Sequence, residues 1–225
     1  MKFNDKVFKE LAIEFKKIGF KDSKHFEHNY CFEFYKESEF ANSISVIRIL
    51  YSFDKKHLSG ITSRISFNNV TSIIKNFVDI ETDFYDQTAT NFLHSTKSKS
   101  NILSLQKITL TSSVELLKHK IFEHIDTYII PFFEEISNLQ KLNEKISQVP
   151  QSEYCDYIYG ESNLKALIIM KLCNNPKFHE FKTWLIDTYK QLSVTEPEQY
   201  SKDYHTVLNL IEYLDSNQYK ELLKA

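Results

Sequence analysis

The sequence predicts an α+β fold, an N-terminal antiparallel sheet of three or four strands with covering helices, followed by a C-terminal helical bundle. Three observations lead there. Runs between Lys24 and Phe67 carry the period of two that marks strands, whereas beyond Ser112 apolar residues return every third or fourth position, as on a helix. The 225 residues are 42% hydrophobic and 26% charged, a globular profile that excludes a largely disordered or fibrous chain. At roughly 150 residues per domain, this length allows one large domain or two small ones. The change of period divides the chain into a sheet portion over residues 1–110 and a helical portion over residues 111–225, expected to pack as one compact unit.

Each element follows from its pattern. Val7, Phe8, Leu11, Phe15 and Ile18 recur at helical spacing behind Asn4, a capping residue, and Gly19 stands where a left-handed C-cap is wanted. From Lys24, Phe26, Tyr30, Phe32 and Phe34 share one face and Glu27, Asn29 and Glu33 the other, so one half-buried strand is expected there. Ile44 to Phe53 is apolar on both faces except for Ser45, Arg48 and Ser52, which makes it the central strand. Ile61, Ser63, Ile65 and Phe67 alternate with Thr62, Arg64 and Ser66 in a third, and the short links favour an antiparallel meander. Asn68 or Asn69 caps a short helix whose stripe of Val70, Ile73, Ile74 and Phe77 suits the covering of one sheet face. Ile80 to Asn101 lacks a clean period and ends in a polar tract, His94 to Ser100, expected to be a loop or hairpin tip, and Ile102 to Leu110 reads as a returning strand.

In the second half, Ser112-Ser113-Val114-Glu115 is a capping box opening a helix with Leu117, Ile121, Ile125, Tyr128 and Phe132 on its stripe, kinked or ended by Pro131. Leu139, Leu142 and Ile146 mark a further helix closed by Pro150. Ser162 caps a helix from Asn163 to about Cys173 that is apolar nearly all round, hence central. Pro176 precedes a stripe of Phe178, Phe181, Trp184, Leu185 and Tyr189, and Pro197 precedes Tyr204, Val207, Leu208, Ile211 and Leu214.

Charge and composition narrow the function. Lys plus Arg number 28 against 30 Asp plus Glu, a net charge of −2 without the basic excess that a nucleic-acid backbone selects for. Tyr128 to Phe133 and Leu164 to Leu172, the most apolar stretches, fall far short of the roughly 20 residues a bilayer demands. Cys31, Cys155 and Cys173 are odd in number with no C-x-x-C pair, as buried thiols of a reducing compartment would be, and Met1 to Lys6 begins no apolar signal core. A cytoplasmic protein is expected, with no nucleic-acid or membrane partner.

Catalytic signatures fail in turn. His119 and His124 stand five apart around Glu123, one residue off the inverted zinc-protease spacing, and on a helix they diverge. Glu115, His119 and Glu123 share one face, most simply a solvated one. His25 and His28, three apart on an expected strand, point to opposite faces, so no metal is assigned. Three glycines cannot build a phosphate cradle, and no cofactor is assigned. Cys31 is a small apolar filler or, less simply, a thiol nucleophile. Asp83 and Asp86 serve as an acid–base pair only if a cleft desolvates one of them.

The most unusual composition is Glu153-Tyr154-Cys155-Asp156-Tyr157-Ile158-Tyr159-Gly160-Glu161. Its tyrosines either pack inward to seal the helical half or, with the carboxylates, form a recognition surface for a basic protein. The residues singled out for partner binding are Tyr154, Asp156, Tyr157, Tyr159 and Glu161. Glu33, Glu37 and Glu39 at the first hairpin offer an acidic rim or, more simply, a device that discourages strand-to-strand aggregation at a sheet edge.

The string Phe15-Lys16-Lys17-Ile18-Gly19-Phe20-Lys21, followed by His25-Phe26 and aromatic strands, resembles an uncharacterised bacterial domain family whose members begin with a helix, a Gly-Phe turn and a β-meander. The resemblance covers the first third of the chain and brings no catalytic residues with it. Small acidic α+β proteins of this look are found as antidotes to secreted bacterial toxins, so it implies binding. The expected function is a cytoplasmic bacterial protein-interaction module, an immunity-like neutraliser of a basic partner. Two alternatives stand beside it. One is a small hydrolase or other enzyme assembled from distant residues such as His119, Glu123, Asp83 and Asp86, and the other is a scaffolding subunit.

Overall fold

The structure is a computed structural model that describes residues 3–52, 58–78, 88–90 and 114–223. Its architecture is α+β, with an antiparallel sheet in the N-terminal half and helices after it. Two compact units divide the chain by packing: residues 1–65 with 90–137, and residues 66–89 with 138–225. Each is discontinuous, while the expected boundary at residues 110 and 111 lies outside the described residues. So do Asp83, Asp86, the tract from His94 to Ser100 and the returning strand from Ile102.

The first unit opens with α1 (Phe3–Lys17), which begins before Asn4, so that residue lies within the helix instead of capping it. Its end is as expected: Gly19 has φ +92°, a conformation that favours glycine, and Phe20 returns its N–H to the Phe15 carbonyl. The single strand expected from Lys24 is a hairpin instead. β1 (Asp22–Phe26) and β2 (Cys31–Ser38) pair antiparallel across a turn in which Asn29 donates to the Phe26 carbonyl and Tyr30 adopts φ +51°. β3 (Ser43–Tyr51) pairs antiparallel with β2, β4 (Leu58–Phe67) follows, and the two-residue β5 (Ala89–Thr90) completes the order β1-β2-β3-β4-β5.

One face of this sheet is apolar. Phe32, Phe34, Ile47, Ile49 and Tyr51 form a core with Val7, Leu11 and Phe15 of α1 and with Leu117 and Ile121 of α3 (Val114–His124). The Phe15 and Phe34 rings stack with centroids 3.8 Å apart. Beyond His124 the helix widens into one π-helical turn, Ile125–Ile129, before α4 (Ile130–Glu135). Pro131 has no N–H to give the preceding turn, and the inserted residue carries the helical run past it instead of ending it.

In the second unit, α2 (Asn68–Ile74) has neither Asn68 nor Asn69 as its cap, since Phe67 occupies that position and donates its N–H to Thr88 Oγ1. Its stripe of Val70, Ile73 and Ile74 is buried, and the helix packs on α6 (Ser162–Leu172) and α9 (Tyr219–Leu222). Central α6 is buried without a break from Leu164 to Met170. Ser162 lies inside it, not at its cap. Around it pack α2, α5 (Leu139–Ser147), α7 (Phe178–Thr195) and α8 (Pro197–Asp215). Asn138 caps α5 by accepting the Lys141 N–H at 3.0 Å, and Pro197 opens α8 from its first turn. A buried polar clasp ties α5 to the α6–α7 connection: Asn175 Nδ2 donates to Asn143 Oδ1 and to Ser147 Oγ, each at 2.7 Å.

Candidate functional site

The tyrosine-rich segment belongs to the second unit. Pro150 is extended and unable to continue α5, and it starts a short 3-10 helix, Gln151–Asp156, with the Glu153 N–H on its carbonyl. The turn points Tyr154 inward. That side chain is 3% exposed, its ring lies 5.3 Å from Phe181, and burial, aided by the Glu180 charge, pushes its phenol above the usual range. Tyr154 is therefore corrected from partner contact to anchor of the segment.

The other four residues lie at the surface. Asp156 and Glu161 are exposed, and Tyr157 and Tyr159 half-buried. The Lys145 ammonium stands 5.6 Å over the Tyr157 ring. The backbone of Tyr159 is held at both ends, its N–H on the Thr88 carbonyl at 3.1 Å and its carbonyl on Nζ of Lys165 at 2.7 Å. Lys165 is wholly buried on α6, so an ammonium inside the core fixes the loop that carries the surface residues. Gly160 turns the chain at φ +73° into Glu161 and α6.

Glu161 then reaches a concave site of about 160 Å³. Phe77, Leu164 and Val207 supply its apolar lining, and Glu161, Tyr189 and Asp203 its polar one, with Lys202 also present. Tyr189 is half-buried in the same lining. Burial raises its phenol, a hydrogen bond from Asn163 opposes this, and the charges of Glu161 and Asp203 raise it further. Apolar lining with two carboxylates is the complement of a long side chain with an aliphatic stem and a cationic head. Sequence reading found Glu161 by its local composition. Tyr189 and Asp203 carry no such signal, since they sit in ordinary helical patterns and join the site only through packing.

The screened catalytic residues do not converge. His119 and Glu123 are exposed on α3, and Glu123 takes the Lys120 ammonium at 2.6 Å, which holds its carboxyl below the usual range. Cys31 is buried, and burial pushes its thiol up, away from nucleophilic use. Glu33 is no edge device. β2 is an interior strand, and Glu33 is 3% exposed between Arg48 and Arg64, with Tyr35 donating to its other oxygen. Glu37 and Glu39 are exposed.

A further group lies in the first unit. Asp5 of α1, His25 of β1 and Glu27 of the hairpin turn each bring one ligand-type atom within 4.8 Å of the others. By spacing His25 pairs with His28, which is exposed, and nothing in the sequence announces that the start of α1 meets β1. Comparison with protein families, with curated proteins and with solved structures found no match to this chain. Among the described residues, no helix is long and apolar enough to cross a membrane.

Proposed function

We propose that this chain is a cytoplasmic bacterial protein-interaction module that binds a basic protein, in the manner of an immunity protein neutralising a toxin. One observation carries the reading: Glu161 and Asp203 converge with half-buried Tyr189 on a concave site with apolar lining. A partner Lys or Arg would lay its stem along Phe77, Leu164 and Val207 and direct its charge to the two carboxylates. Asp156, Tyr157 and Tyr159, on the loop leading to Glu161, would extend the contact with polar-tipped aromatic area. The enzyme alternative draws no support from His119 and Glu123, which solvent surrounds.

The test is capture from a lysate of the source organism by the intact protein and by a Glu161→Gln/Asp203→Asn variant, at low and moderate salt, with partners identified by mass spectrometry. The expected result is a basic protein retained by the unmodified chain, weakened by salt and lost with the double substitution. Equal capture by both proteins, or none by either, refutes the reading.

A further inference from the structure

We propose that Asp5, His25 and Glu27 form a binding site for a divalent transition-metal cation of the zinc class, clipping the start of α1 to the first hairpin. The donor set is one imidazole nitrogen and two carboxylates, the borderline nitrogen and oxygen ligands that such cations take. Three protein ligands leave further positions for water, as in open metal sites.

Geometry is close to what an ion requires. The three ligand atoms lie within 4.8 Å of one another, and His25 Nδ1 is 3.8 Å from Asp5 Oδ1. With metal–ligand bonds of about 2.0–2.1 Å, tetrahedral ligands stand roughly 3.3 Å apart, so closure asks for small rotations of two carboxylates that are not buried. With His25 neutral, the two carboxylates give the group a charge of −2, which a dication offsets.

The imidazole is the fixed member. On its far side, Nε2 and the Tyr51 hydroxyl are 2.8 Å apart, in the hydrogen bond that commonly orients a metal-binding histidine. Phe8 and Phe32 pack around the ring, with centroids at 5.6 and 4.7 Å. With Nε2 on the Tyr51 hydroxyl, the ring is held with Nδ1 toward Asp5. The turn holds the backbone of Glu27, whose carbonyl accepts the Tyr30 N–H at 3.3 Å. Thus one ligand is rigid, one backbone is pinned, and the third sits on the first turn of α1.

Titration of the full chain with Zn²⁺ by calorimetry, and with Co²⁺ by visible absorption, tests this. One equivalent is expected to bind, with Co²⁺ giving ligand-field bands and no thiolate charge-transfer band. Asp5→Asn and Glu27→Gln should each weaken binding tenfold or more. Tyr51→Phe should keep the stoichiometry and lose roughly tenfold, the usual scale for a residue that orients a ligand. Circular dichroism of each variant separates loss of site from loss of fold. No saturable uptake, a thiolate band, or uptake undiminished in a folded Asp5→Asn/Glu27→Gln variant would overturn the proposal.

Discussion

Glu33 and Arg48 face each other across β2 and β3, and the guanidinium places both Nε, at 2.6 Å, and Nη2, at 2.5 Å, on one carboxylate oxygen. The other oxygen accepts from Tyr35 and lies 3.7 Å from Nη2 of Arg64. Two cations thus share one buried anion. The carboxylate offsets their desolvation, and the pairing fixes the β2–β3 register, since a one-residue slip would set Phe32 or Phe34 on the charged face.

Removing the anion should therefore cost more than removing an ordinary surface charge. Glu33→Ala is expected to lower stability by about 2–3 kcal/mol, less than a fully buried pair would cost because Arg48 is over a third exposed and screened. Glu33→Leu combined with Arg48→Met should recover part of that loss. Urea denaturation measures both, and an unchanged midpoint in Glu33→Ala would show that solvent already satisfies the two guanidiniums.

His124 should give the stability a pH dependence. It is 4% exposed at the junction of α3 and the π-helical turn, its Nε2 has no hydrogen-bond partner among the described residues, and burial lowers its affinity for a proton. The unfolded chain then binds more protons than the folded one once pH falls below the ordinary histidine value of about 6.5. Its stabilising effect is full above that value. It declines as pH falls toward the lowered folded-state value, below which the loss levels off. His124→Leu removes this contribution, so its denaturation midpoint should fall less than that of the unmodified protein between about pH 7 and pH 5. Parallel pH profiles would show that the imidazole gains a proton without penalty.

The three cysteines should separate by reactivity. Cys155 is exposed, Cys31 is buried with its thiol raised, and burial with the Glu144 charge pushes Cys173 up to about 11. A thiol reagent at neutral pH should label Cys155 first, half-buried Cys173 more slowly and Cys31 only under denaturant, a pattern read directly by peptide mass spectrometry. Early labelling of Cys31 would mean that β2 opens well below global unfolding.

These expectations also show where sequence legibility ends. The period of α1 and the apolar run of β3 state their own burial, and Gly19 states its turn. The β1–β2 hairpin was hidden because Phe26, Tyr30, Phe32 and Phe34 keep a period of two straight through the turn, and Tyr30 adopts a left-handed φ with nothing in its type to announce it. Glu33 reads as polar-out by alternation. Its burial depends on Arg64, a whole strand away in order. The candidate site divides in the same manner: Glu161 stands out by local composition, whereas Tyr189, Asp203 and the meeting of Asp5 with His25 come only from tertiary packing.

Within the tyrosine-rich segment, anchor and surface should come apart experimentally. Tyr154→Ala empties a buried site against Phe181 and is expected to cost about 3–4 kcal/mol, in the range for deleting a buried aromatic side chain. Asp156→Asn and Glu161→Gln alter exposed carboxylates and should change stability by no more than about 0.5 kcal/mol. If the basic-partner reading holds, partner affinity should sort differently. The two surface substitutions weaken it with stability intact, mostly through slower association that added salt mimics, whereas Tyr154→Phe keeps the aromatic packing and should leave it nearly unchanged. Denaturation midpoints alongside association rates make the comparison, because a purely structural segment would show affinity falling only in those variants that also lose stability.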